Sequence, residues 1–275
     1  MIACLGPAGS FSHLLAMQVD KDVKLCDSIS DVLNVVNENA DVDGIVPLEN
    51  SSGGVINETI DLLIRYDKNI IIKEILSLKV RLSLLGKKGS ENGEVKEILS
   101  HAMPFFHCDE WLKEHYPKAY RISMPSTSAA AAWLAEHEHT EGVYAIGSSY
   151  NARQYGLSVI KDDIASDKVN MTEFYRVGQR KLEVEEDCNR TACVLTIKDE
   201  VGALLKVLKL FVDAGVNLYR IYARPGDQLS NHKFFLEFDK AFDQDEFAKL
   251  VGTDTKIIRY DVYKGPDKGT FYMQS

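Results

Sequence analysis

Short apolar runs alternate with longer amphipathic stretches along the first part of the chain. Residues 2–5, 23–26 and 45–48 read as buried strands, and 11–19, 30–37 and 55–66 as the helices that follow them. Two longer strands, 69–78 and 79–85, close this unit before a polar, glycine-rich break at 86–93. A second unit repeats the alternation, with strands at 95–99, 119–123 and 143–146 and helices at 104–115, 126–136 and 149–155. Residues 157–160 and 173–177 read as strands returning toward the first unit. Two α/β lobes joined by crossing strands imply a cleft that a hinge can open and close.

Beyond a charged linker at 178–187 the pattern changes to β-α-β-β-α-β. Its elements are strand 192–197, helix 201–214 ended by Gly215, strands 217–223 and 232–238, helix 244–250 and strand 256–263. This is the split βαβ arrangement of ferredoxin-like domains. The tail, 265–275, carries no such pattern and is expected to lack order.

The strand ends hold the candidate chemistry. Val46-Pro47-Leu48-Glu49-Asn50-Ser51-Ser52-Gly53-Gly54 follows an apolar run and precedes an amphipathic one. Proline suits a strand end because it gives nothing to a ladder. Asn, Ser and Gly supply turns and helix-capping oxygens. Backbone N–H groups freed at such a helix start favour anions. Taken alone, the stretch is more readily a capped helix start after an ordinary loop. The device recurs, however, at Gly6-Pro7-Ala8-Gly9-Ser10-Phe11-Ser12, at Ser126-Thr127-Ser128 and at Gly147-Ser148-Ser149. In an open α/β sheet such ends gather on one side, where ligands bind. A small polyanionic metabolite is the guest they suit.

Charge sharpens this picture. A net charge of −9 disfavours nucleic acid and anionic membranes as partners. It also repels an anionic ligand, so the site is expected in a cleft screened from the acidic surface, where each helix start contributes about 0.3–2 kcal/mol. The 5 cysteines never stand as C-x-x-C and the 7 histidines form no H-E-x-x-H, which predicts reduced thiols, a cytoplasmic setting and no metal. No apolar run is long enough to span a membrane, and the N-terminus lacks the basic, apolar and cleavage regions of a signal peptide.

Six motifs, in order and over nearly the full length, give the chain a resemblance to a known family. They are Gly6-Pro7-Ala8-Gly9-Ser10-Phe11-Ser12, Val46-Pro47-Leu48-Glu49-Asn50-Ser51, Ser100-His101, Ser126-Thr127-Ser128-Ala129-Ala130, Asn170-Met171-Thr172-Glu173-Phe174, and Gly202-Ala203-Leu204 with Asn217-Leu218. With them the chain resembles the monofunctional prephenate dehydratases that carry a C-terminal ACT domain. The resemblance implies a two-lobed, type II periplasmic-binding-protein-like catalytic domain at 1–178, with lobe one at about 1–85 plus 161–178 and lobe two at about 86–160. It implies a ferredoxin-like ACT domain at 188–264. The implied activity is conversion of prephenate to phenylpyruvate, carbon dioxide and water, with no cofactor, because aromatisation drives it. Thr172, His101 and Ser100 fall at the implied catalytic positions. Ser10, Phe11, Glu49, Asn50, Ser51, Ser126, Thr127 and Phe174 fall at the implied substrate positions. Gly202, Ala203, Leu204, Asn217, Leu218 and Arg224 fall at the implied effector positions for L-phenylalanine, in a homodimer or homotetramer built through ACT domains.

The sequence departs from the family pattern at three places. Glu173 stands where the family has arginine, and strand alternation places it on the face opposite Thr172 and Phe174. Arg176 and Lys168 are the nearby cations able to replace the missing charge. Met103 stands where the family has glutamine, and Tyr222-Ala223 where it has Glu-Ser, which weakens the expectation of phenylalanine feedback. Two other readings remain in view: an amino-acid-sensing paralogue without turnover, and a prephenate decarboxylase that keeps the ring hydroxyl.

Overall fold

The computed structural model describes the whole chain except residues 52, 166–169, 181–187, 227–230, 243, 253–254, 266–270 and 273–275, with backbone alone at 231 and 271–272. The first run of elements is β1 (Ile2–Leu5), α1 (Phe11–Val19), β2 (Val23–Cys26), α2 (Ile29–Glu38), β3 (Asp43–Asn50), β4 (Gly54–Val55), α3 (Asn57–Arg65) and β5 (Ile70–Lys79). The second is β6 (Ser83–Gly86), β7 (Glu97–Ser100), α4 (Ala102–His107), α5 (Asp109–His115), β8 (Tyr120–Ser123), α6 (Thr127–Glu136), β9 (Val143–Gly147), α7 (Ser149–Tyr155) and β10 (Ser158–Lys161). After β11 (Met171–Gln179) come β12 (Arg190–Lys198), α8 (Ala203–Asp213), β13 (Leu218–Pro225), β14 (Asn231–Phe238), α9 (Gln244–Val251), β15 (Lys256–Tyr263) and β16 (Phe271–Tyr272).

Three sheets result. Lobe one has the strand order β16-β5-β11-β3-β1-β2, with β4 beside β3, and lobe two has β10-β6-β9-β7-β8. The chain crosses between them at Val80–Leu82 and returns between Lys161 and Met171, so the run expected as one strand at 79–85 is broken there. The two crossings are tied together: Val80 N–H donates to Asn170 O at 2.8 Å, Ile164 N–H to Leu82 O at 2.8 Å, and Ser83 Oγ to Asp162 at 2.6 Å. The expected helix at 104–115 is two helices meeting at Cys108, which caps one and opens the other. The tail, expected to lack order, contributes β16, which pairs in parallel with Leu78 and Lys79 of β5.

The C-terminal sheet has the order β13-β14-β12-β15, the strand order of a split βαβ unit. One face carries Cys193, Leu195, Leu236 and Phe238 against Val207, Phe211 and Phe247 of α8 and α9. The other face, with Ala192, Val194, Phe235 and Tyr263, shares a core with Val46, Leu48, Ile72, Tyr175 and Val177 of lobe one. The C-terminal unit is therefore docked on the back of lobe one by an apolar seam, the kind of burial that gives about 25 cal/mol per Å². At its edge the buried Arg259 donates to Leu63 O at 2.6 Å and Ile70 O at 2.8 Å and pairs with the buried Asp261. Among the described residues no helix is long and apolar enough to cross a membrane.

Candidate active site

The two lobes face each other across their strand ends. On the lobe-one side, β1 runs into Gly6–Ser10 and then α1, whose N-cap Ser10 accepts from His13 N–H at 3.2 Å and donates to Leu5 O at 3.0 Å. Gly9 has φ +78°, and a Cβ there would lie 2.5 Å from Asn151 Nδ2 and from Gln154 Oε1 of α7 in lobe two. Asn151, fully buried, donates to Gly9 O at 3.1 Å and to Ser128 Oγ at 2.9 Å, so the lobes touch through this loop. His13 Nδ1 accepts the Gly9 N–H at 2.9 Å, and burial holds the imidazole below its ordinary pKa. The unfolded chain then takes up the proton first, so stability is complete above the ordinary histidine range and is lost as pH falls through it. A thermal melt series from about pH 7 down to about pH 5.5 is expected to show a falling midpoint, and His13→Gln to flatten that slope; an equal slope in both proteins refutes the assignment.

The stretch after β3 differs from its expected form. It is not a capped helix start but a tight β3–β4 hairpin, and α3 begins later, at Asn57, with no side-chain cap. The reason is β11, which pairs antiparallel with β3 and holds the strand out to Asn50. Asn50 Nδ2 reaches Thr172 Oγ1 at 2.9 Å, Asn170 Oδ1 at 2.8 Å and Met171 O at 3.1 Å, while Asn50 Oδ1 accepts from Gly53 N–H at 2.9 Å. Ser51 Oγ accepts from Met171 N–H at 3.1 Å. The two amide hydrogens of Asn50 are shared among these three acceptors, and the Thr172 hydroxyl can accept one while it donates its own proton elsewhere.

The lobe-two wall is built of helix starts. Ser126 caps α6, accepting from Ala129 N–H at 3.0 Å, with Thr127 mostly buried as its first residue. Ser148 and Asn151 form a reciprocal capping box on α7. His101 is the exposed N-cap of α4, with Nδ1 3.4 Å from Met103 N. Met103 faces the lobe-one hairpin closely enough that a Cβ on Gly53 would sit 3.3 Å from its methyl group. Among the described residues no group of three or more His, Cys, Asp or Glu side chains is placed to hold a metal ion.

Several expected site residues lie elsewhere. Ser100 is fully buried, and its hydroxyl donates to Ile146 O at 3.0 Å inside the lobe-two sheet. Phe174 shares the face of Thr172 but is core, packed with Cys4, Leu15, Leu76 and Leu78. Glu49 turns away from the lobe interface, accepting from Tyr222 OH at 3.0 Å and Arg220 Nε at 3.2 Å, because it faces the docked C-terminal sheet. Glu173 sits on that same face and pairs with Arg220. Arg176, a candidate replacement cation, is held by Asp43 at 2.7 Å and Glu74 at 2.9 Å, and Lys168 lies outside the described residues. Arg224 is bound to Asp61 and, at 2.8 Å, to Asn57 of α3. Gly202, with φ +82°, caps one end of α8 and Asn217 follows the other, so the eleven-residue helix, roughly 16 Å at 1.5 Å per residue, separates them. Ala203 and Leu204 begin α8 beside Gly202, whereas Leu218 packs under the helices. Sequence reading missed Asn151 and Arg220. A Ser-x-x-Asn pattern after β9 signals the first, and nothing local signals the second.

Two α/β lobes that meet at their strand ends, with serine-capped helix starts and an amide-oriented threonine there, form an arrangement suited to small polar ligands. The sequence comparisons make the class specific. Residues 2–182 match the family model described as prephenate dehydratase. The prephenate dehydratase of Lactococcus lactis is 31% identical over 229 residues, covering 82% of this chain and 81% of that protein. The crystal structure of an Arthrobacter aurescens prephenate dehydratase in complex with L-Phe is 25% identical with TM-score 0.82, covering 99% and 92% of the two chains. GqqA, described as a novel type of quorum quenching acylase, is 20% identical with TM-score 0.82 over 96% and 98%, a likeness of fold alone. The chain belongs to the prephenate dehydratase family.

Proposed function

We propose that this chain converts prephenate to phenylpyruvate, carbon dioxide and water in the formation of L-phenylalanine. The observation that carries the reading is the Asn50–Thr172 hydrogen bond of 2.9 Å at the mouth between the lobes. The ring carboxylate leaves as carbon dioxide, its C–C electron pair enters the ring, and the C–O bond to the ring hydroxyl breaks. Thr172, oriented by Asn50, hydrogen-bonds to the departing hydroxide and relays to it a proton drawn from solvent, so that it leaves as water and the threonine hydroxyl is restored. Such an oriented donor is worth about 10²–10⁴-fold. The starts of α1 and α6 provide N–H-rich positions for the substrate's carboxylates, and His101 and Ser51 flank the same opening. Glu173 lies behind the site, which reconciles its charge with an anionic substrate. Incubation with prephenate tests the reading: phenylpyruvate absorbance supports it, a product that keeps the ring hydroxyl marks a decarboxylase, and binding without product marks a sensor.

The domain reading follows the same family: a two-lobed, type II periplasmic-binding-protein-like catalytic unit at 1–178 and an ACT regulatory domain at 188–264. We assign amino-acid sensing to the second, with two copies needed, since Gly202 and Asn217 of one chain stand at opposite ends of α8. Exposed Leu205, Val212, Tyr219 and Ile221 supply an apolar surface for that pairing. Tyr222 is committed to Glu49, and Arg224 to Asp61, so a bound ammonium or carboxylate lacks those partners. A lost charge-assisted hydrogen bond of about 1.5–3 kcal/mol weakens L-phenylalanine about ten- to a hundredfold. Sedimentation is expected to give a dimer or larger, and calorimetry weak phenylalanine binding; a monomer, or micromolar binding, contradicts one half each.

A further inference from the structure

We infer that Arg220, on the C-terminal sheet, is a positioning residue for the Thr172–Asn50 pair, an inference that rests on the dehydratase reading. In the β11–β3 ladder Thr172 stands opposite Asn50, and the next pair is Glu173 opposite Glu49. Two carboxylates directly opposite on neighbouring strands repel. Here they share one cation. Arg220 donates through Nε to Glu49 at 3.2 Å and through Nη2 to Glu173, while Nη1 reaches the buried Glu237 at 2.7 Å. Glu237 is held in turn by Tyr175 OH at 2.7 Å and Arg190 at 3.2 Å, so the guanidinium is anchored from its own side. Burial opposes the Arg220 charge, but Glu237 and Glu49 outweigh it and keep the group protonated.

Arg220 touches neither Thr172 nor Asn50; it acts on the pair next to them. Just beyond, the ladder shifts register between Glu173 and Phe174 before pairing resumes at Phe174 opposite Pro47, so the Thr172–Asn50 and Glu173–Glu49 pairs form a short segment set off from the rest of the β11–β3 ladder. Without Arg220, Glu49 and Glu173 face each other uncompensated one residue from the donor threonine. The strands then part or twist, and the Asn50–Thr172 geometry is lost while the pocket walls on lobe two stay in place. The C-terminal unit is thereby part of the catalytic apparatus, not only an attachment to it.

The test compares wild type, Arg220→Gln, Arg220→Lys and Arg220→Gln/Glu173→Gln in the full-length chain, with kcat and KM for prephenate and the side-chain amide resonances of Asn50. Arg220→Gln is expected to lower kcat by roughly 5–150-fold, the usual span of coupling between sites, with KM little changed and the Asn50 amide shifted. Arg220→Lys should recover part of the loss. Removing the opposing charge in Arg220→Gln/Glu173→Gln should recover most of it, which loss of a merely structural contact does not predict. Should Arg220→Gln fail to fold, the rescue is read from Arg220→Lys against Arg220→Lys/Glu173→Gln. Wild-type kcat in Arg220→Gln, or a loss that Glu173→Gln deepens, overturns the inference. If wild type itself makes no phenylpyruvate, the function reading fails, and an unshifted Asn50 amide in Arg220→Gln then decides against the inference separately.

Discussion

Thr172→Ala is expected to lower kcat for prephenate by at least about 10²-fold, or roughly 2.7 kcal/mol of transition-state stabilisation, with the fold unchanged. The hydroxyl is oriented by Asn50 at 2.9 Å and has its own proton to give. Alanine removes that donor and frees Asn50, whose amide retains Asn170 Oδ1 and Met171 O as acceptors, so the β3–β11 pairing survives. Thr172→Ser should keep most of the activity, because the oxygen is retained and only a methyl is lost. Steady-state kinetics on purified protein with an unaltered far-ultraviolet spectrum check both. Full activity in Thr172→Ala refutes the assignment.

The largest stability effect is expected at Arg259. Its guanidinium is buried, donates to the Leu63 and Ile70 carbonyls and pairs with buried Asp261, so it fastens the C-terminal sheet to the end of α3 and the start of β5. Arg259→Met keeps much of the volume but strips both carbonyls of their donor. Asp261 then has Arg180 at 2.7 Å, which is itself more than one third exposed, and Ile72 N–H at 3.3 Å. Breaking a buried pair by removing one partner costs about 3–5 kcal/mol. Chemical denaturation should show that loss, with the C-terminal unit releasing from lobe one first. A change below about 1 kcal/mol, the level of an exposed pair, would mean that the apolar seam alone holds the two units together.

Read from the sequence alone, the alternation of strand and helix, the change to a βαββαβ pattern and the serines that cap α1, α6 and α7 were all legible. Each depends on residues a few positions apart: a period of two or 3.6, or a hydroxyl accepting from an N–H three residues on, as Ser126 does from Ala129. Strand alternation also placed Glu173 on the face opposite Thr172. What lay on that other face was not legible. The family resemblance implies a cleft position for Glu49, yet its partner Arg220 is 171 residues away. The same resemblance implies a catalytic position for Ser100, but its hydroxyl donates to Ile146 O on a neighbouring strand. The Asn50 turn reads as a helix cap, and β11, more than a hundred residues later, makes it a hairpin. Caps, periods and breaks are local free-energy choices that the chain states as it runs. Which face of a strand meets substrate, and which meets another domain, depends on pairings that exist only once distant strands lie side by side.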